Sequence, residues 1–72
     1  MRTQYAEVMK SGGVWVVRWA SEPMRSEVHR LFGTDTLPTP YSDAAPLADV
    51  LAHLRRIPAN ANTAFVEAIQ AA

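Results

Sequence analysis

Two histidines and seven carboxylates are the side chains of this 72-residue sequence that could take part in acid–base or metal chemistry. Asp49 and His53 are four residues apart, so on a helix they lie on one face. A carboxylate that orients an imidazole is part of many catalytic and metal sites. The apolar residues of the same segment lie on the opposite side, so we interpret the two as an exposed helix pair. His29, beside Arg30, is interpreted as a rim residue.

The other requirements of an enzyme are not met by the sequence. There is no cysteine, which excludes disulfides and a thiolate zinc site. No serine stands in a nucleophile-elbow context, and a domain this small has little volume for a sheltered site. Ser11-Gly12-Gly13 and Gly33-Thr34 lack the lysine and the spacing of a phosphate-binding P-loop. We therefore predict a non-catalytic protein with no catalytic residue, cofactor or metal site.

Nucleic-acid binding is the alternative function. Trp15 and Trp19 could offer stacking platforms, as in single-strand binders. The formal net charge is zero, however, whereas polyanion binders usually carry a clear basic excess. About ten residues with two prolines separate the two predicted helices, which excludes a helix-turn-helix. The basic residues are Arg2, Lys10, Arg18, Arg25, Arg30, Arg55 and Arg56.

The first part of the chain predicts a β-hairpin. Thr3–Met9 and Val14–Ala20 have the character of strands, and Gly12-Gly13 between them suits a tight turn. The second strand places Trp15, Val17 and Trp19 on one face. Val14, Val16 and Arg18 lie on the other face.

Two helices follow the hairpin. Ser21 is predicted to cap a helix over residues 22–32 that ends before Gly33. A second helix, capped by Ser42 or Asp43, stops before Pro58. Their apolar stripes are Met24, Val28, Leu31 and Phe32 in the first helix, and Leu47, Val50, Leu51 and Leu54 in the second.

Two further segments complete the chain. Leu37-Pro38-Thr39-Pro40-Tyr41 must be extended, because each proline moves its predecessor out of the helical region. We interpret it as a stiff connection with Leu37 and Tyr41 against the core rather than as a ligand for an aromatic groove. Residues 63–69 fit either a strand or a helix capped by Asn62. We prefer the strand, because a third strand would complete the sheet.

These elements predict one α+β domain over residues 1–72. It contains a small three-stranded antiparallel-type sheet (β-β-α-α-β) with two helices on one face. The predicted core is Trp15, Val17, Trp19, Met24, Val28, Leu31, Phe32, Leu47, Val50, Leu51 and Leu54.

The predicted function is protein–protein interaction or self-association by a small accessory protein. A core of this size supplies only about 3–5 kcal/mol, and oligomerisation is the stabilising device that remains without disulfides or metal. The face that carries Val14, Val16 and Arg18 is left uncovered, so we expect it to be the interface of a homodimer or the docking site of another protein. The arginine- and alanine-rich composition indicates a bacterial or phage source. No apolar run is long enough for a membrane span or a signal peptide, so a cytoplasmic location is expected.

Overall fold

The computed structural model describes residues 4–68 and shows an α+β fold with a four-stranded mixed sheet. The strands lie in the order β3-β2-β1-β4, and β2 runs opposite to the other three. The sequence predicted three antiparallel strands, so the α+β class is confirmed and the strand count and direction are corrected. The elements are β1 (Gln4–Ser11), β2 (Val14–Trp19), α1 (Met24–Phe32), β3 (Thr36–Ser42), α2 (Leu47–Arg55) and β4 (Thr63–Glu67), with a 3-10 turn, Pro58–Asn60, between α2 and β4.

The β1–β2 hairpin forms as predicted. Ser11 pairs with Val14 across a two-residue turn, in which Gly12 and Gly13 take φ values of 60° and 84°. Both residues of such a turn need positive φ, which glycine adopts without steric cost.

The proline segment is a strand, not the stiff connection that the sequence predicted, although Leu37 and Tyr41 do pack against the core as expected. It forms β3 and pairs with β2, with Val16 opposite Pro38 and Val17 opposite Leu37. Proline cannot donate to a sheet ladder and is tolerated on an edge strand, which is where β3 lies. The pairing is irregular between Val14 and Val16, and there the Thr39 hydroxyl donates a 2.8 Å hydrogen bond to the Trp15 carbonyl.

The preferred strand over the last segment is confirmed for residues 63–67, whereas Ile69 lies outside the described residues. β4 pairs with β1 in parallel, with Ala6 opposite Phe65. The direction follows from the connection: α2 carries the chain from the β3 edge across the sheet to the β4 edge. A crossover of this kind joins strands that run the same way.

The core lies between the sheet and both helices. Trp15, Val17 and Trp19 form its floor as predicted, and the Trp15 indole donates a 2.9 Å hydrogen bond to the Ala45 carbonyl. The Trp19 ring meets Phe65 edge-on, with 6.1 Å between centroids. The buried apolar cluster is Ala6, Val8, Trp15, Val17, Trp19, Val28, Val50, Leu54 and Phe65, with Met24, Leu47 and Leu51 packed partly buried against it.

Helix α1 differs from its prediction at both ends. It begins at Met24 after Pro23, and the Ser21 hydroxyl instead accepts a 2.7 Å hydrogen bond from the Tyr5 amide. At the other end Leu31 and Phe32 are 63% and 61% exposed, so their assignment to the core is wrong. The reason is that Val28 is the one buried residue of this nine-residue helix. The contact around Val28 does not extend to the last turn, so Leu31 and Phe32 remain outside the core.

Helix α2 keeps its predicted stripe but not its predicted cap. Val50 and Leu54 are buried, and Pro46 rather than Ser42 or Asp43 occupies the capping position. After the helix, the buried Asn60 side chain donates a 3.0 Å hydrogen bond to the Leu54 carbonyl. The same carbonyl accepts a 3.3 Å hydrogen bond from the Ile57 amide, so Asn60 is its second donor at the end of the helix.

We predict that Trp15→Ala lowers the free energy of unfolding by about 3–5 kcal/mol, because it removes a buried ring from a closely packed floor. Urea titration followed by circular dichroism measures the loss. Leu31→Ala, on an exposed side chain, is the control and should cost about 0.5 kcal/mol or less. Equal stabilities of the two variants would contradict this assignment of the core.

Candidate functional site

Neither helix of residues 4–68 packs on one face of the sheet, and we call that face the open face. Its residues alternate along each strand with those of the core. Met9, Val16 and Pro38 are register partners on β1, β2 and β3, so they form an apolar row across three strands. Val16 is 7% exposed although it does not belong to the core cluster, which indicates that its neighbours on the open face cover it. Val14, half-buried, lies next to this row.

Two more apolar side chains of the open face are largely exposed. Tyr5 on β1 is 53% exposed, and Val66 on β4 is 49% exposed. Val66 is the register partner of Glu7, so it lies at the outer edge of the sheet beside the charged part of the face. The described apolar residues of the open face therefore lie on both sides of the row that holds Glu7 and Arg18, with Met9, Val16 and Pro38 on one side and Tyr5 on the other.

The charged residues of the open face form one pair. Glu7 and Arg18 are directly opposite on β1 and β2, and the Arg18 guanidinium donates to the Glu7 carboxylate. This hydrogen bond and the charge of Glu7 raise the pKa of Arg18. Both side chains remain partly exposed, the Arg18 side chain at 48% and the Glu7 side chain at 28%. The face thus presents one positive and one negative group side by side, with no excess of either sign.

A second surface feature lies on the helix side, and we call it the helix groove. It is a cavity of about 370 Å³ between α1, α2, the 3-10 turn and β3. Its floor is Val17, Trp19 and Leu37, and its rim includes Phe32, His53 and Ile57. The sequence did not predict it, because Phe32 was assigned to the core and the proline segment to a connection. The position of Phe32, directly before the helix-ending Gly33, could have suggested the groove, because a side chain at the end of a helix can lie outside the core.

The histidines are not assembled into a reactive site. No hydrogen bond or ion pair joins Asp49 to His53 among the described residues, although both border a shallow depression. His53 is half-buried, not fully exposed as predicted, and its ring meets Tyr41 edge-on at 5.3 Å between centroids. His29 is exposed on α1 as expected and borders a separate depression. Within residues 4–68, no three histidine or carboxylate side chains lie together as a metal site would require.

Most described arginines are engaged by carboxylates. Arg25 lies 3.2 Å from Asp35, and Arg30 lies 2.7 Å from Glu27. The hydrogen bond from Arg25 lowers the pKa of Asp35, and the pair with Glu27 raises the pKa of Arg30. Arg2 lies outside the described residues. Trp15 is 4% exposed and Trp19 is 7% exposed, and both point to the core side of β2, so the open face offers no indole ring on which a base could stack.

Comparison with protein-family models, with curated proteins and with solved structures gives no match for this chain. Neither helix of the described residues is long and apolar enough to cross a membrane.

We predict that Thr39→Val destabilises the domain by about 1–3 kcal/mol, because the buried Trp15 carbonyl loses its donor while the side-chain volume stays the same. The matched control is Thr36→Val, whose hydroxyl donates only to the neighbouring Asp35 and should cost about 0.5 kcal/mol or less. Thermal unfolding of both variants measures the difference. A Thr39→Val protein as stable as the control would show that the hydroxyl does not support the irregular strand pairing.

Proposed function

We propose that the protein is a non-catalytic self-associating module that forms a two-fold homodimer through its open face. The observation that carries this proposal is the set of apolar side chains on the open face, where Tyr5 and Val66 are about half exposed and Met9 and Pro38 flank the buried Val16. Neither helix of residues 4–68 packs on this face, and exposed apolar surface on one face of a small domain marks an interaction site. Tyr5 and Val66 extend the surface toward β4.

The thinness of the core supports self-association. The largest side chains that are completely buried among the described residues are two valines, Val8 and Val50. A domain of this length buries only about 60% of the surface that its unfolded chain exposes. Association of two copies would add buried apolar area and couple the stability of each copy to the dimer.

The charges of the open face support a second copy as the partner. A two-fold contact brings the same patch against itself, so every charge must find its complement within that patch. Glu7 and Arg18 provide both signs side by side and can pair within or between copies. A polyanion would instead require a basic excess, and on this face Arg18 is already paired with a carboxylate.

The sheet edge at β3 is poorly suited to pairing with another strand. Pro38 and Pro40 remove two backbone donors from this strand. Prolines on an edge strand discourage edge-to-edge association. The prolines therefore disfavour a dimer that pairs two β3 edges, and they do not oppose contact through the open face, to which Pro38 belongs.

We extend the proposal to the cellular location and the source of the protein. The cysteine-free composition is compatible with the reducing cytoplasm of a bacterial cell, which is where we place the protein. The arginine- and alanine-rich composition supports a bacterial or phage source. Docking of a different protein on the open face is the competing interpretation, and nucleic-acid binding is the weaker one.

We predict that size exclusion coupled to light scattering at micromolar concentration gives a mass near twice 7.9 kDa, because each copy covers the open face of the other. A mass near 7.9 kDa across the concentration range would contradict the dimer and leave the face to a different partner. Retention on heparin that falls steeply with salt would instead favour the nucleic-acid interpretation.

We predict that Tyr5→Lys combined with Val66→Lys yields folded monomers, since both side chains are exposed in the isolated chain and the new charges repel across the contact. Val16→Glu is less informative, because Val16 is already 7% exposed within one copy and its replacement would also disturb the sheet. Leu31→Lys is the control, a similarly exposed apolar residue on α1. The same light-scattering measurement should find this control dimeric. Dissociation of the control to the same extent would place the interface elsewhere.

A further inference from the structure

Glu7 and Arg18 occupy the centre of the open face, on the two central strands of the sheet. No other open-face position of the four described strands carries a charged side chain. Met9 and Val16 lie on one side of the pair, and Tyr5 lies on the other. A second copy that covers the apolar side chains on both sides therefore also covers the charged pair.

The bond between the two charged side chains leaves most of their hydrogen-bonding capacity unused. Arg18 has five N–H donors, and its side chain makes one hydrogen bond within residues 4–68, to one oxygen of Glu7. Asp35, which borders the same depression as Arg18, is bound by Arg25 instead. Burying the remaining donors of Arg18 and the second oxygen of Glu7 without partners costs free energy. The surface that covers the pair must therefore supply both an acceptor and a donor.

A second copy can supply both groups, and the orientation of the two-fold axis decides whether it does. Sheets that pack face to face commonly keep their strands aligned within about 30°, so the axis runs either across the strands or along them. An axis across the strands places β1 over the partner's β1 and β2 over the partner's β2, so Glu7 does not meet the partner's Arg18. An axis along the strands, between β1 and β2, exchanges the two strands and places Glu7 over the partner's Arg18.

We propose that the two-fold axis runs along the strands between β1 and β2, so that Glu7 of each copy binds Arg18 of the other. This inference rests on the proposed dimer through the open face. The two copies share a ring of four alternating charges, and both side chains are long enough to meet across the gap of about 10 Å between packed sheets. The same axis places Met9 over the partner's Val16, because these two residues are register partners. The pair selects as partner a chain that carries the acid on β1 and the base on β2.

Exchange of the two charges tests this register. Glu7→Arg combined with Arg18→Glu keeps a pair within each copy and complementary charges between two variant copies, so the variant should fold and form homodimers. A dimer of one variant copy and one wild-type copy instead places acid over acid and base over base. Native mass spectrometry of isotope-labelled wild type mixed with unlabelled variant counts the mixed dimers. We expect them to fall from the statistical half to below about a tenth, because like charges across a contact exclude the wrong partner.

The matched control exchanges the charges of Glu27 and Arg30, an exposed pair on α1. This control should form mixed dimers with the wild type in the statistical proportion, as labelled and unlabelled wild type do. Mixed dimers of the Glu7→Arg, Arg18→Glu variant in the same proportion or in excess would overturn the register while leaving the dimer intact. A folded but monomeric variant would also overturn the register. Wild-type protein that is monomeric at every concentration would overturn the dimer and the register together.

The two single variants provide a second test that does not need the exchanged pair to fold. Glu7→Arg gives each copy two arginines at the contact, and Arg18→Glu gives each copy two carboxylates. Each variant should be monomeric by light scattering at a concentration at which the wild type is dimeric, and an equal mixture of the two should be dimeric. Single variants as dimeric as the wild type would place the pair outside the contact and overturn the proposal.

Discussion

Trp15, Val17 and Trp19 are buried beneath two nine-residue helices, and this packing decides where both helices lie. These side chains lie on β2, one of the two central strands, so both helices pack on the side of the sheet to which they point. Two helices of this length cover that floor and are too short to cover more of the sheet. As a consequence, the opposite face has no cover, and the last turn of α1 is not drawn into the core.

Two surface features follow from the shortness of the helices. The open face keeps its apolar side chains because neither helix of the described residues packs on it. The helix groove remains because Val28 is the one fully buried residue of α1, which leaves Phe32 at a rim. The open face carries both signs of charge, which suits a second copy.

Sequence patterns predicted the parts of the fold that depend on local chemistry. The Gly12-Gly13 turn and the alternation along β2 were enough to predict the hairpin and its two faces. The spacing of Val50 and Leu54 predicted the buried stripe of α2. The open face around Val14, Val16 and Arg18 was likewise predicted, because alternation within one strand decides which residues share a face.

The errors arose where long-range packing overrides local preference. Pro38 and Pro40 argue against a strand in general, and only a position at the edge of the sheet, supported by the Thr39 hydroxyl, makes β3 acceptable. Phe32 has the correct helical spacing for the core, yet spacing does not reveal whether a helix is packed along its whole length. The parallel direction of β4 depends on the path of α2 across the sheet, which no local pattern specifies.

In the proposed dimer, the open face of one copy lies against the open face of another. An isotope-filtered nuclear Overhauser experiment on an equal mixture of labelled and unlabelled chains detects only contacts between copies. We expect intermolecular contacts to the methyl groups of Met9, Val14 and Val66. Intermolecular contacts confined to Leu31 and Phe32 on the helix side would show that the two copies meet through the other side of the sheet.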